Sequence, residues 1–131
     1  MDLHVTRAAL AAMRAHAARA APEECCGLLL GHTGAIDRAR SARNVAQDPL
    51  RFFEIDPQAL VDAHRAARAG GPQVLGYYHS HPGGPAEPSA IDRAMAAGDG
   101  RIWAIVGERD TTFWRDDEAG FARLSYVAAD T

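Results

Sequence analysis

The chain contains no lysine: all 14 of its basic residues are arginine. Set against 17 aspartates and glutamates, they leave a formal net charge of −3. A nucleic-acid binder usually displays a basic excess, so that class is disfavoured. Without lysine the chain also offers no side-chain amine for isopeptide conjugation to itself. An alanine and arginine bias of the kind seen in high-GC bacterial genomes is the simpler account of that absence. Cysteine is scarce, and its two copies, Cys25 and Cys26, are neighbours. Adjacent cysteines fit neither disulfide geometry nor the spacing of a zinc finger, and they read as small apolar residues of a strand. No apolar run approaches the ~20 residues of a membrane span. The opening residues, Met1 to His4, lack the basic and apolar regions of a secretory signal, so the cytoplasm is the expected location. Internal repeats are absent too.

What is present is an ordinary globular composition, 131 residues with 47% hydrophobic and 24% charged. This predicts one domain over residues 1–131, large enough to fold without a disulfide framework or a structural metal.

Hydrophobic periodicity predicts the elements. Leu3 to Val5 alternates as a short strand. Thr6 caps an alanine-rich helix over Arg7 to Ala20, with Leu10, Met13 and Ala17 on one stripe and Pro22 beyond its end. Cys25 to Gly31 reads as a strand buried on both faces. Ile36 to Asn44 reads as a further strand, Asp48-Pro49 as a turn, and Phe52 to Ile55 as another strand. Asp56-Pro57 opens a helix carrying Leu60, Val61, His64 and Ala67, which stops at Gly70-Gly71-Pro72. Val74 to His81 is a strand rich in aliphatic and aromatic residues. A proline- and glycine-rich loop leads to a short helix from Ser89 to about Ala97. Ile102 to Val106 is a buried strand. Thr111 to Trp114 and Phe121 to Val127 form a final antiparallel pair. Interspersed strands and helices imply an α/β or α+β sandwich around a mixed sheet.

Four polar residues stand out in two short segments. His79 and His81 are two apart on a strand and project from one face, so both imidazoles reach one point. Pro82 ends the strand. Asp92 sits in the first turn of the next helix and offers a carboxylate from another direction. Two histidines and one carboxylate leave the fourth position of a tetrahedral zinc open for water, which the metal acidifies to a pKa of about 7. Ser89-x-x-Asp92 equally suits a helix N-terminus, with Ser as cap and the acid against the macrodipole. The two uses are compatible. A site of this kind needs a general base. Glu23 and Glu24 lie between the first helix and the first apolar strand; Glu23 reads as solvated, while Glu24 is open between a loop residue and a functional carboxylate. His4, His16, His32 and His64 have no partner at ligand spacing and read as surface or boundary residues. Of Tyr77 and Tyr78, one packs in the core and the other faces the site. Trp103 and Trp114 read as core or sheet packing.

The run His79-Ser80-His81-Pro82, then Ser89 and Asp92, resembles the JAMM (MPN+) zinc metalloprotease signature without gap or substitution. Pro22 to Gly31 resembles that family's glutamate-bearing segment and selects Glu24 over Glu23. Phe53 to Pro57 resembles its next recurring segment. The likeness is to the small single-domain branch of bacteria and archaea. It implies an α-β-α sandwich around a mixed, curved sheet, similar to the cytidine deaminase fold. It implies that His79, His81 and Asp92 ligate one Zn²⁺ per chain, that Glu24 acts as general base, and that Ser89 hydrogen-bonds the developing oxyanion. The implied reaction is hydrolysis of an amide or isopeptide bond. The implied partner is a ubiquitin-like or sulfur-carrier protein with a Gly-Gly tail, carrying a conjugate or an adduct such as cysteine. Residues Asn44 to Phe53 are expected to flank the channel for that tail. The alternatives are a cell-wall or phage-type peptidase of the same fold and a non-catalytic MPN scaffold. The intact set of five polar residues argues against the scaffold. A zinc deaminase would need a Pro-Cys-x-x-Cys segment, which the chain lacks. Neither nucleic acid nor membrane is expected as a partner, and no oligomeric state follows from the sequence.

Overall fold

The computed structural model describes residues 3–130. The elements run β1 (Leu3–Thr6), α1 (Arg7–Ala20), β2 (Cys26–His32), β3 (Ala35–Ala42), α2 (Pro57–Arg68), β4 (Gln73–Ser80), α3 (Ala90–Met95), β5 (Ile102–Val106), β6 (Thr111–Asp117), β7 (Gly120–Leu124) and β8 (Tyr126–Ala129). No helix among the described residues is long and apolar enough to cross a membrane.

Eight strands form one mixed sheet in the order β7-β6-β5-β4-β2-β3-β1-β8. The β1–β3, β1–β8 and β4–β5 pairs are parallel and the others antiparallel. The two edge strands, β7 and β8, are separated in the chain by Ser125 alone. Edges joined by so short a link must approach each other, so the sheet curls strongly. Across that curl the rings of Phe113 on β6 and Tyr126 on β8 meet at 4.7 Å.

Helices cover both faces. The two-residue period of β2 sends Cys26, Leu28 and Leu30 to one side and Leu29 to the other. On the Leu29 side lie Val5, Ile36, Tyr78 and Phe113 with Ala9, Leu10 and Met13 of α1. On the Leu28 side lie Phe53, Ile55, Val74 and Trp103 with Ala63 of α2. Each fully buried Leu or Phe contributes about 1.5–3 kcal/mol, so these two cores supply most of the driving force. The helix starts follow from their caps. Thr6 Oγ1 accepts from Ala9 N at 3.1 Å, and Asp56 Oδ1 accepts from Gln58 N at 3.1 Å ahead of Pro57.

Three expectations need correction. Phe52 to Ile55 is not a strand; it makes one isolated bridge, between Asn44 and Ile55. The Asn44 side chain takes over the pairing there: Nδ2 donates to Phe52 O, and Oδ1 accepts from Glu54 N. Phe121 to Val127 is two strands, because β7 pairs with β6 while β8 crosses to β1. Within α2, which carries Leu60, Val61, His64 and Ala67 as expected, the buried position is Ala63, and Val61 is 47% exposed. The stripe therefore runs through Ala59, Leu60, Ala63 and Ala67. The short helix stops at Met95, short of Ala97, and the chain beyond it is held by Asp116, as described below.

Gly76 marks where strands must lie close. A Cβ there would collide with the carbonyl of Ile102 on β5. Both partners are backbone, so neither can move aside without opening the β4–β5 ladder. Gly76→Ala is expected to lower stability by about 1–3 kcal/mol, the cost of overpacking; chemical denaturation checks this, and an unchanged midpoint would refute it.

Candidate metal centre

The register of the central strands assembles the site. Cys26 on β2 pairs with His79 on β4, and Ser80 N donates to Cys25 O at 3.1 Å. Continuing one step sets Glu24 across from His81, just past both strand ends. On the other side of β4, His81 N donates to Val106 O of β5 at 2.9 Å. His81 lies one residue past β4, yet it keeps the strand's alternation and meets His79 on the same face.

The Nε2 atoms of His79 and His81 are 3.1 Å apart. Each also lies 3.1 Å from the Asp92 carboxylate. Asp92 arrives on α3, whose first turn is a capping box. Ser89 Oγ accepts from Asp92 N at 3.0 Å, and Ser89 N donates to Asp92 Oδ2 at 3.0 Å. The cap and the cluster are therefore one structure. The Ser89 oxygen is engaged as an acceptor, and its hydroxyl proton remains available to donate.

The donor set fits a zinc ion. Two imidazole nitrogens and a carboxylate oxygen converge, and tetrahedral zinc at its usual ligand distances keeps neighbouring donor atoms about 3.3 Å apart. His81 Nδ1 faces Pro85 O at 3.0 Å. If Nδ1 carries the proton and donates there, Nε2 is left with its lone pair toward the other donors. His79 Nδ1 is buried with no hydrogen-bond partner among the described residues. Its ring is fixed instead by packing, stacked on Phe53 at 4.3 Å and edge-on to Trp103 at 5.6 Å.

Charge in the cluster is distributed by burial and hydrogen bonding. Burial holds His79 below its ordinary pKa and outweighs the pull of Asp92. Burial also acts against charge on His81, but the Asp92 carboxylate, the Pro85 carbonyl and Glu24 together raise it. For Asp92, burial opposes ionisation, yet hydrogen bonds from both histidines hold its carboxyl well below the usual range.

Glu24 is buried and Glu23 exposed. The Glu24 main chain is pinned at both ends of its peptide: N donates to Pro49 O at 2.8 Å, and O accepts from Asn44 Nδ2 at 2.9 Å. Burial raises its carboxyl pKa to about 7, against the opposing charge of His81. The cysteines alongside are free and buried, and burial pushes the Cys26 thiol up to about 12, so it stays an inert packing residue.

The structure assigns the two tyrosines. Tyr78 is in the α1-side core, with its hydroxyl 2.7 Å from His16 Nδ1. Tyr77 faces the other way and lines a cavity of about 230 Å³ with Phe53, Leu60, Met95 and Trp103. His16 and His64 are half-buried, and His4 and His32 are exposed.

Two structural roles went unnoticed in the sequence. Asn44 ties Glu24 to the 45–54 loop; the signal was an Asn at a strand end before a turn. Asp116, 1% exposed, accepts from Ala97 N at 3.0 Å and Gly98 N at 3.1 Å, just beyond α3. A six-residue helix is too short to hold itself, so α3 depends on clamps at both ends.

The eight-stranded α/β fold, with two histidines and an aspartate gathered past a central strand, is that of an MPN domain. More specifically, the chain belongs to the prokaryotic homologs of the JAB domain, whose family model matches residues 6–117. It is 36% identical to a desampylase of Haloferax volcanii over 109 residues, 79% of this chain and 77% of that protein. It is 42% identical over 90 residues to a probable TtuB-protein conjugate cleaving protease of Thermus thermophilus, covering 69% of this chain and 60% of that one. The chain thus spans less than two thirds of the Thermus protein. A CysO-cysteine peptidase of Mycobacterium tuberculosis is 33% identical over 101 residues, 76% of this chain and 68% of that protein. Among solved structures, a Desulfitobacterium hafniense protein superposes with a TM-score of 0.85 at 28% identity, covering 98% of this chain and 93% of the other. A JAB1/MPN domain protein of Archaeoglobus fulgidus gives 0.64 at 21% identity, covering 97% and 99%, a likeness of fold.

Asp116→Ala is expected to leave two backbone donors unpaired, costing about 1–3 kcal/mol, and to speed amide exchange at Ala97 and Gly98. Exchange rates unchanged at those two positions would refute the clamp.

Proposed function

We propose that the protein is a zinc-dependent peptidase or isopeptidase that hydrolyses the bond after the Gly-Gly tail of a ubiquitin-like or sulfur-carrier protein. The observation that carries this reading is the convergence of His79 Nε2, His81 Nε2 and the Asp92 carboxylate at 3.1 Å, beside a buried Glu24. The names of the Haloferax, Thermus and Mycobacterium relatives support the substrate class.

His79, His81 and Asp92 hold the metal. When bound, Zn²⁺ supplies a Lewis acid for the scissile carbonyl and acidifies a water molecule. Glu24 takes the proton of the attacking water; its raised pKa, about 7, suits a base that must later release that proton. Water oxygen bonds to the carbonyl carbon, the carbon–nitrogen bond breaks, and Glu24 passes the proton to the leaving nitrogen. Ser89 donates its hydroxyl proton to the oxygen on which negative charge develops. The segment Asn44 to Phe53 flanks the tail channel: Val45, Phe52, Phe53 and Met95 border a groove of about 620 Å³ that reaches Phe53, on which His79 is stacked. The cytoplasm is the proposed location.

Metal analysis of protein purified without added zinc is expected to give about one zinc per chain, the stoichiometry of a single tetrahedral site. Glu24→Gln is expected to keep that zinc and lose hydrolysis of a tail conjugate by at least about a hundredfold, the scale of general-base catalysis. Full activity in this variant or in the metal-free protein would overturn the mechanism. His81→Ala is expected to lose zinc and activity together, whereas His64→Ala on α2 keeps both; the same metal analysis and assay read the contrast, and a zinc-replete His81→Ala would remove His81 from the ligand set.

A further inference from the structure

Residues 82–88 join His81 to Ser89, so the path of this loop fixes how one histidine of the cluster meets the cap of α3. The loop has no regular structure, and Ala86, 4% exposed, is its only buried residue. It nevertheless wraps His81 closely. Gly84 N donates to His81 O at 3.0 Å, and Pro85 O lies 3.0 Å from His81 Nδ1. A carbonyl oxygen only accepts, so a hydrogen bond there requires the proton on Nδ1 and leaves the Nε2 lone pair to face His79 and Asp92. The direction of one loop carbonyl thus decides which ring nitrogen is free to bind a metal.

An irregular, exposed loop cannot hold that carbonyl still by itself. The register of the sheet supplies the support. Ile105 on β5 pairs with His79, and Thr112 on β6 pairs with Ile105. Thr112 therefore stands in the same row as His79, two strands away, about 10 Å at ordinary strand spacing. Paired neighbours share a face, so its side chain rises on the His79 side, as does that of Trp114 two residues along. Thr112 is 4% exposed, and its hydroxyl is used twice: Oγ1 accepts from Trp114 Nε1 at 2.8 Å and donates to Ala86 O at 2.5 Å. The indole N–H can only donate, so it directs the hydroxyl proton toward Ala86. Ala86 O is the carbonyl immediately after Pro85 O. Two backbone features fasten the same spot. Glu108 N donates to Gly84 O at 2.9 Å. A Cβ on Gly107 would come within 2.6 Å of Ala86 N, so a glycine is needed for the loop to lie this close to the end of β5.

We infer that Thr112 is a positioning residue for the metal centre: through Ala86 it holds the Pro85 carbonyl against His81 Nδ1 and so presents His81 Nε2 to the metal. The inference rests on the zinc reading of the cluster and extends it to a buried hydroxyl two strands from the ligands. Sheet packing alone does not call for that hydroxyl. Valine suits a buried strand position as well and needs no hydrogen-bond partner.

Two measurements test this, one with zinc and one without. Competition with a chelator gives the zinc affinity of the whole chain. Thr112→Val removes the hydroxyl and keeps the branched shape; it is expected to weaken zinc binding by about tenfold or more, the scale of losing a group that orients a ligand. Thr112→Ser returns the hydroxyl and is expected to restore most of that affinity. Gly107→Ala keeps the hydroxyl but pushes Ala86 away, and is expected to reproduce the loss; it also carries the test if Thr112→Val does not fold. Leu10→Ala, in the core on the opposite face, lowers stability without reaching the loop and is expected to leave zinc affinity unchanged. In the metal-free protein, nitrogen chemical shifts of the His81 ring, read at a pH where it is neutral, report the tautomer. The expected result is Nδ1–H in the wild type and Thr112→Ser, and a mixture in Thr112→Val and Gly107→Ala. An Nε2–H ring in the wild type, undiminished zinc affinity in both Thr112→Val and Gly107→Ala, or a serine variant as weak as the valine one would each overturn the inference. Wild-type protein that takes up no zinc, yet shows an Nδ1–H ring that Thr112→Val loses, would support the positioning and count against the zinc reading.

Discussion

A carboxylate that is 2% exposed must be surrounded by donors, and the donors supplied to Asp92 dictate the layout around it. Leaving such a charge unpaired would cost several kcal/mol, more than a domain of this size can spare. One donor is His79 on β4, one is His81 just beyond it, and one is the Ser89 N–H at the start of α3. Satisfying Asp92 therefore locks a strand end to a helix start. The same contacts bring two imidazole nitrogens within 3.1 Å of each other, an arrangement protons alone satisfy poorly and a divalent cation satisfies well.

The rest of the fold keeps that junction in place. The β2–β4 register sets Glu24 opposite His81, and the parallel β4–β5 pair, brought close at Gly76, holds β4 from its other side. Asn44 then acts at a distance from the cluster. One side-chain amide bonds Glu24 O, Phe52 O, Ala46 N and Glu54 N. It thereby ties the segment carrying the buried acid to the loop carrying Phe53, which stacks on His79. Two separate supports of the site share a single residue.

What could be read from the sequence was whatever depends on local chemistry. Thr6 and Asp56 as caps, the glycine-bounded run of β2, and the face shared by His79 and His81 each follow from a few adjacent residues. The pairing of Ser89 with Asp92 was legible in both of its senses, and both coexist. What could not be read depends on contacts distant in sequence. Phe52 to Ile55 has strand-forming residues, but a side-chain amide ten residues away satisfies its backbone. Phe121 to Val127 looks continuous, and only the closure of the curled sheet splits it at Ser125. Asp116 has nothing local to mark it; its partners lie 18 and 19 residues earlier. Glu24 was legible only through its resemblance to a known segment, since its burial comes from the loop folding over it.

Two buried carboxylates beside the same histidines end up with opposite tendencies, and the cause is hydrogen bonding, not depth. Asp92 has two imidazoles and a backbone N–H directed at it, and these overcome burial and keep it ionised. The Glu24 peptide spends its main-chain groups on Pro49 and Asn44, so its carboxyl meets burial with only the charge of His81 in its favour, and its pKa rises to about 7. A permanently charged oxygen is what a metal ligand requires, whereas a group near neutrality can take up and release a proton at low cost. Exchanging the two environments would give a ligand that protonates and a base that cannot give its proton back. The division of labour between Asp92 and Glu24 thus follows from which of them is given donors, and that is decided by the cap of α3 and by the loop that Asn44 holds.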